Sequence, residues 1–118
     1  MKTAKPRRRA GRNALKPITE NEFMLQVAEL AHHCGWRIAH FRPARTAKGW
    51  RTPCQFDAEA FPDLLMLRRD RQIAAELKVG DNQPTQEQAE WLQAFECAGA
   101  AAVVWWPDDW PEIEEALR

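Results

Sequence analysis

This 118-residue chain lacks any close pair of cysteines, and the placement of its three cysteines disfavours the sites that cysteine usually builds. Cys34, Cys54 and Cys97 are odd in number and widely spaced, which fits neither a disulfide framework nor the paired spacing of a zinc site. His32 and His33 adjoin Cys34, but neighbouring helical residues point in different directions, which disfavours a shared metal. We therefore predict that the cysteines are reduced and structural.

Long hydrophobic runs are absent as well. No apolar segment approaches the roughly 20 residues that cross a bilayer, and the N-terminus lacks the apolar centre of a signal peptide. These absences predict a cytoplasmic protein. The length and the 45% hydrophobic content are typical of one soluble domain with a modest core.

A net excess of charge is also missing, because 17 basic and 17 acidic residues balance. The balance conceals an asymmetry, since residues 1–17 contain seven lysines and arginines and no acid. This composition predicts a disordered basic arm over residues 1–17 and a folded domain over residues 18–118. Such an arm can add salt-dependent affinity for phosphate backbones, and a solubilising tail or a segment left by cloning is the alternative.

The hydrophobic pattern predicts an α/β fold in the order α-β-β-β-α-β-α. Thr19 with Glu22 and Thr85 with Gln88 are capping-box pairs that predict the starts of the first two helices. Strands are expected at 36–41, on both sides of a hairpin within 64–75, and at 101–106. A long loop is expected at 42–60, and a short last helix begins near Pro111.

Two short polar motifs flank the predicted hairpin: Phe61-Pro62-Asp63 and Glu76-Leu77-Lys78. A two-residue turn at 70–71 would place Asp63 opposite Lys78 and Leu65 opposite Glu76. Because side chains alternate along a strand, the three polar groups would then share one face of the sheet. A register slip of one residue would separate them.

Asp63 and Glu76 have the chemistry of a magnesium site. Magnesium prefers oxygen ligands and often takes one or two carboxylates, with water and substrate phosphate in the other positions. Lys78 would lie beside Glu76, where an ammonium can orient or help deprotonate a water and stabilise charge at phosphorus. This set predicts phosphodiester hydrolysis, whereas a turn-forming Pro-Asp pair and a solvated Glu-x-Lys pair are the alternative.

Two helical residues are further candidates. Glu20 falls at the edge of the buried stripe of the first helix, where it either favours the helix dipole or serves as a third acid at the site. For Glu22 the capping role suffices. Gln88 lies on the same side as the buried stripe of the second helix, so it can reach the hairpin, complete its capping box, or do both.

The predicted loop carries a basic and aromatic group that is typical of nucleic-acid contacts. Cations can bind a phosphate backbone while tryptophan stacks on a base or sugar. A merely solvated loop is the alternative. The candidate nucleic-acid-binding residues are Arg42, Arg45, Lys48, Trp50 and Arg51.

Taken in order, these residues resemble a known family. The chain is similar to stand-alone VRR-NUC domains, the virus-type replication-repair nucleases of the PD-(D/E)XK superfamily. The resemblance runs from about residue 18 to 117, through Thr19-Glu20, Cys34-Gly35-Trp36, Phe61-Pro62-Asp63-Leu64, Glu76-Leu77-Lys78, Gln86-Glu87-Gln88 with Trp91-Leu92, and the segment 105–113. It implies a restriction-endonuclease-like core, with a small mixed sheet flanked by helices.

The resemblance also implies an activity. Asp63, Glu76 and the Leu77 carbonyl would bind Mg²⁺ or Mn²⁺, Lys78 would act on the water, and Glu20 and Gln88 match helix positions of the family's site. Small members are phage or bacterial endonucleases that form homodimers and cut branched DNA such as four-way (Holliday) junctions. A non-cleaving DNA-binding or assembly module on the same fold is the alternative.

Overall fold

Three α-helices and six strands form the part of the chain that this computed structural model describes, namely residues 16–40, 44–46, 49–51 and 56–118. For 44–46 and 49–51 the description is limited to the backbone. The elements are α1 Glu20–His33, β1 Arg37–His40, β2 Ala44–Thr46, β3 Gly49–Arg51, β4 Leu64–Arg68, β5 Arg71–Leu77, α2 Gln86–Cys97, β6 Ala101–Trp105 and α3 Trp110–Leu117, with single 3-10 turns at Ala58–Ala60 and Pro107–Asp109.

Four of the strands form one mixed sheet in the order β1-β4-β5-β6. The β1-β4 and β4-β5 pairs are antiparallel, and β5-β6 is parallel because α2 forms the crossover between them. The predicted α/β class and the small mixed sheet flanked by helices are confirmed. The predicted loop at 42–60 is wrong in part, because β2 and β3 pair there as a separate antiparallel ribbon.

The first two helices begin where their capping boxes predict. Thr19 Oγ1 accepts from the Glu22 N–H at 3.1 Å, and Glu22 Oε1 accepts from the Thr19 N–H at 3.0 Å. Thr85 and Gln88 repeat this reciprocal pair at 3.2 and 2.9 Å. Each box satisfies backbone donors that a helix start leaves unpaired. The Glu22 side chain therefore serves as part of the N-terminal cap of α1.

The hairpin between β4 and β5 has a different register from the expected one. Leu64 pairs with Ala75 and Arg68 with Arg71, so the turn is at residues 69–70. One step beyond Leu64 and Ala75, this register brings Asp63 opposite Glu76, and the expected Asp63–Lys78 pairing is wrong. The turn depends on a left-handed φ of 57° at Arg69, which is uncommon for arginine and which no local sequence signal marks. A shift of two residues preserves the faces, so the predicted polar face remains.

The central strand β5 is covered on both faces, and every residue from Ile73 to Leu77 is buried. Ala75 and Leu77 join the main core, where Phe23 and Val27 of α1 meet Ile113 of α3. Glu76, between them in the strand, points to the opposite face, which α2 covers. The fold therefore places a carboxylate inside the layer between the sheet and α2.

A cluster around Trp36 fastens α3 to the sheet. Arg68 Nη1 donates to the carbonyls of Cys34 at 2.8 Å and Leu117 at 2.9 Å, and its guanidinium carbon lies 4.6 Å from the centre of the Trp36 ring. Trp36 Nε1 donates to the same Leu117 carbonyl at 2.8 Å. A cation at the end of α3 also complements its helix dipole.

None of the helices in the described ranges has both the length and the hydrophobicity of a membrane-spanning segment.

Candidate active site

Asp63 stands at the entrance to β4, and its carboxylate is fixed by the neighbouring strand. Oδ2 accepts a hydrogen bond from the Leu77 N–H at 2.8 Å. The bond joins the end of β5 to the residue before β4, and the shifted register makes it possible. The backbone therefore orients the first predicted acid toward the second.

Glu76 is the one buried charged residue in the described part of the chain, at 1% exposure. Its Oε1 accepts from Gln88 Nε2 at 3.1 Å and lies 3.8 Å from Lys78 Nζ. Its Oε2 is buried without a hydrogen-bond donor. An unsatisfied buried oxygen on a charged group costs free energy, so this atom requires an explanation.

The surroundings of Glu76 favour its neutral form. Burial, followed by the negative charge of Asp63, raises the pKa of Glu76 to about 9, although Lys78 opposes the shift. Two negative charges on neighbouring carboxylates are unfavourable, which favours a proton on Glu76. A cation that displaces this proton would satisfy both carboxylates.

Glu20, the first residue of α1, belongs to the same electrostatic group. The residue is exposed, yet partial desolvation of its carboxyl and then the negative charge of Asp63 raise its pKa, while Lys78 and His40 lower it. By contrast, hydrogen bonds from Thr19 lower the pKa of Glu22. Of the two acids at this helix start, Glu20 is the one near the predicted site.

Gln88 performs both of the roles that the sequence left open. Its Oε1 completes the capping box of α2 by accepting from the Thr85 N–H, and its Nε2 donates to Glu76. One amide can do both because it carries an acceptor and donors on different atoms. The helix start therefore fixes the position of a buried side chain in β5.

Two features of the site escaped sequence reasoning. His40, the last residue of β1, places Nδ1 2.9 Å from the Asp63 carbonyl oxygen. Phe61 packs edge-on against Trp91 and Phe95 of α2, with ring centres 5.1 and 5.7 Å apart. Apolar periodicity can suggest the aromatic contact, but a histidine that ends a short strand gives no local signal of its partner.

Much of the predicted nucleic-acid surface lies in residues that the structure does not describe or describes by backbone alone. Arg42 and Lys48 lie outside the described residues, as do residues 1–15 of the predicted arm. Arg45 pairs with Trp50 across the β2-β3 ribbon, and Arg51 ends it, but only their backbone is described. The assignment of these residues to DNA binding stays a prediction.

The donor set is compatible with a hard cation of low protein coordination. No cluster of three or more His, Cys, Asp or Glu side chains suited to a metal occurs among the described ranges. Magnesium does not require one, because it commonly keeps waters and binds through one or two carboxylates. The oxygen of Glu76 that lacks a donor fits such a cation. The Leu77 peptide adjoins the pair through its N–H, and the role of its carbonyl stays a prediction.

A separate recess of about 510 Å³ lies between the 56–60 turn and α2. Four of its lining side chains are acidic, so it disfavours an anionic substrate. None of the predicted catalytic residues lines it. The lining residues are Phe56, Asp57, Glu59, Ala60, Glu87, Glu90, Trp91 and Ala94.

Fold and site together define a mixed α/β protein with a carboxylate pair and a lysine at the edge of its central strands. No protein-family model matches the chain, and a search of curated proteins returns no match. The resemblance to VRR-NUC nucleases stays a prediction.

Proposed function

We propose that this protein is a DNA endonuclease that depends on Mg²⁺ or Mn²⁺ and has a PD-(D/E)XK core of the VRR-NUC type. The observation that carries the proposal is the pairing of Asp63 with Glu76, in which a buried Glu76 oxygen has no hydrogen-bond donor and a lysine lies 3.8 Å from the other oxygen. A solvated Glu-x-Lys pair does not explain this arrangement, because Glu76 is 1% exposed.

Each residue has a distinct role in the proposed reaction. Asp63 and Glu76 hold the cation, and Gln88 fixes the side chain of Glu76 through its amide. When bound, the cation supplies a Lewis acid for the phosphodiester. Lys78 orients the attacking water and offsets negative charge that develops on the phosphoryl oxygens. The water oxygen bonds to phosphorus and gives up a proton, the bond between phosphorus and one sugar oxygen breaks, and the leaving sugar oxygen takes up a proton from water.

The DNA substrate follows from charge and from the family resemblance. The seven cations of residues 1–17 are unaccompanied by acid, and such segments bind phosphate backbones. Specificity for branched DNA such as four-way junctions, and assembly as a homodimer, come from the resemblance alone. Light scattering of the purified protein measures the assembly directly.

The decisive experiment is cleavage of labelled four-way junction, flap, single-stranded and duplex DNA with Mg²⁺, Mn²⁺ or chelator. Wild type should cut in a metal-dependent manner, and Asp63→Ala, Glu76→Ala and Lys78→Ala should each lose at least about 100-fold in rate. Asp70→Ala, at the exposed tip of the hairpin, is the matched control and should cut normally.

Binding measured in chelator separates the two functions that the fold allows. If the three site variants bind DNA as wild type does but fail to cut, the nuclease is established. If wild type cuts nothing with any metal and all proteins bind DNA equally, a non-cleaving DNA-binding module is the better account.

A further inference from the structure

His40 has no assigned role in the site, yet its side chain contacts the backbone of Asp63. Its backbone pairs with Leu64 at the end of β1, and its half-buried side chain shares a sheet face with Ile38, which packs against the core below α1. From there the ring reaches the carbonyl of Asp63, the residue that precedes β4.

The chemistry of this contact fixes which ring nitrogen is the donor. A carbonyl oxygen only accepts, so the 2.9 Å contact requires the proton on Nδ1. The second ring nitrogen, Nε2, takes no part in this contact. The imidazole supplies a donor to a carbonyl at the point where the chain enters the sheet.

Hydrogen bonds consequently hold both the side chain and the backbone of Asp63. The Leu77 N–H holds the carboxylate at 2.8 Å, and His40 holds the carbonyl of the same residue at 2.9 Å. If the peptide group between Asp63 and Leu64 rotated, the Asp63 side chain would change direction, and the hydrogen bond from the Leu77 N–H to its carboxylate would break. Two bonds from two different strands, β5 and β1, therefore oppose this rotation.

We propose that His40 is a positioning residue, whose Nδ1–H holds the Asp63 backbone so that the carboxylate faces Glu76 in the geometry that binds the cation. This inference rests on the proposed function, because it assigns a purpose to the orientation of Asp63. His40 acts through Asp63 and does not contact the DNA. Its loss should lower metal affinity and kcat while KM for DNA is preserved.

Two conservative substitutions separate this role from a direct one. In His40→Asn the side-chain amide nitrogen stands at the same number of bonds from Cβ as Nδ1, so the donor to Asp63 is retained. In His40→Gln the amide nitrogen corresponds to Nε2, and the donor to Asp63 is lost. His40→Ala removes both, and His33→Ala, at the exposed end of α1, is the control.

Mn²⁺ binding, measured by calorimetry or by the loss of the free-ion paramagnetic resonance signal, gives a readout that is independent of turnover. His40→Ala and His40→Gln should bind Mn²⁺ about 10–100-fold more weakly than wild type, the usual effect of removing a residue that orients a ligand. His40→Asn should remain close to wild type, and kcat should follow the same order. DNA affinity in chelator should be the same for all of them.

Three other outcomes would contradict the inference. Rescue by His40→Gln with failure of His40→Asn would overturn the inference and assign the role to Nε2. Wild-type metal affinity in His40→Ala would also overturn it, while leaving the nuclease intact. A wild-type protein that neither binds Mn²⁺ nor cuts DNA refutes the proposed function and this inference together, so the two failures are distinguishable.

Discussion

The buried carboxyl of Glu76 should make the metal-free protein less stable as the pH rises. Its pKa in the folded protein is raised to about 9 from a value of 4.5, first by burial and then by Asp63. The folded state therefore keeps a proton that the unfolded state has lost. Between these two pKa values, 4.5 and about 9, the free energy of unfolding therefore falls as the pH rises, and below 4.5 this group does not change it.

The size of the loss follows from the window. One proton changes stability by at most about 1.4 kcal/mol per pH unit, so the limit between about pH 5 and about pH 8 is about 4 kcal/mol. Gln88 and Lys78 remain as partners when Glu76 ionises. Because they offset part of the cost, we expect a loss of about 1–3 kcal/mol.

Glu76→Gln isolates this effect, because glutamine imitates the protonated side chain. Its oxygen can accept from Gln88, and its amide can donate to Asp63. The variant should therefore lose less stability than wild type between about pH 5 and about pH 8, and should be the more stable protein at the higher pH in chelator. Urea unfolding at both pH values measures this difference.

Glu29→Gln, at an exposed position of α1, is the matched control and should follow wild type. Parallel pH profiles for wild type and Glu76→Gln would refute the reasoning, as would a wild-type protein that gains stability across the window. Under the proposed function, Mg²⁺ at about pH 8 should restore the stability of wild type, because ligand binding to the folded state stabilises it. The same addition should have little effect on Glu76→Gln.

Four further predictions concern other residues. Gln88→Leu removes the donor to Glu76 and should weaken Mn²⁺ binding by about 10–100-fold in a titration; unchanged affinity would show that the amide serves only the helix cap. Arg68→Ala removes the donor to the Cys34 carbonyl and one of the two donors to the Leu117 carbonyl. It should lower the free energy of unfolding by about 1–3 kcal/mol in urea, with Mn²⁺ affinity as the control that should not change. The pKa of Glu22 is lowered in the folded protein, so its contribution to stability is present above the unfolded pKa of 4.5 and is lost as the pH falls through the folded pKa. Glu22→Gln should therefore be less stable than wild type at neutral pH and equal to it in acid. A difference in stability that does not change with pH would contradict this. Deletion of residues 1–16 should weaken DNA binding at low salt and flatten its dependence on salt concentration, whereas equal slopes would remove the arm from the DNA contact.

Local signals account for the parts of the fold that the sequence predicted correctly. The capping boxes at Thr19 and Thr85 act within four residues, so they mark helix starts without any knowledge of tertiary structure. Apolar runs likewise indicated the strands of the main sheet. The face shared by Asp63 and Glu76 followed from strand alternation, which survives a register error of two residues.

The register itself was beyond such signals. The turn places Arg69 in the left-handed region of backbone conformation, and no glycine or asparagine stands there to mark such a turn in the sequence. The ribbon of β2 and β3 is similarly unmarked, because short strands among basic and small residues have a composition typical of loops. Both errors concern pairing between segments, which depends on energies summed over the whole sheet.

The sequence by itself determined the helix starts, the α/β class and the identity of the acids and the lysine that can share a face. Only the tertiary structure decided that Glu76 is buried, that Gln88 reaches it from α2, that Glu20 rather than Glu22 lies near Asp63, and that His40 holds the Asp63 carbonyl. The physical reason is the range of the interactions. Caps and alternation act over a few residues, whereas burial, desolvation and hydrogen bonds between elements exist only after distant segments have packed together.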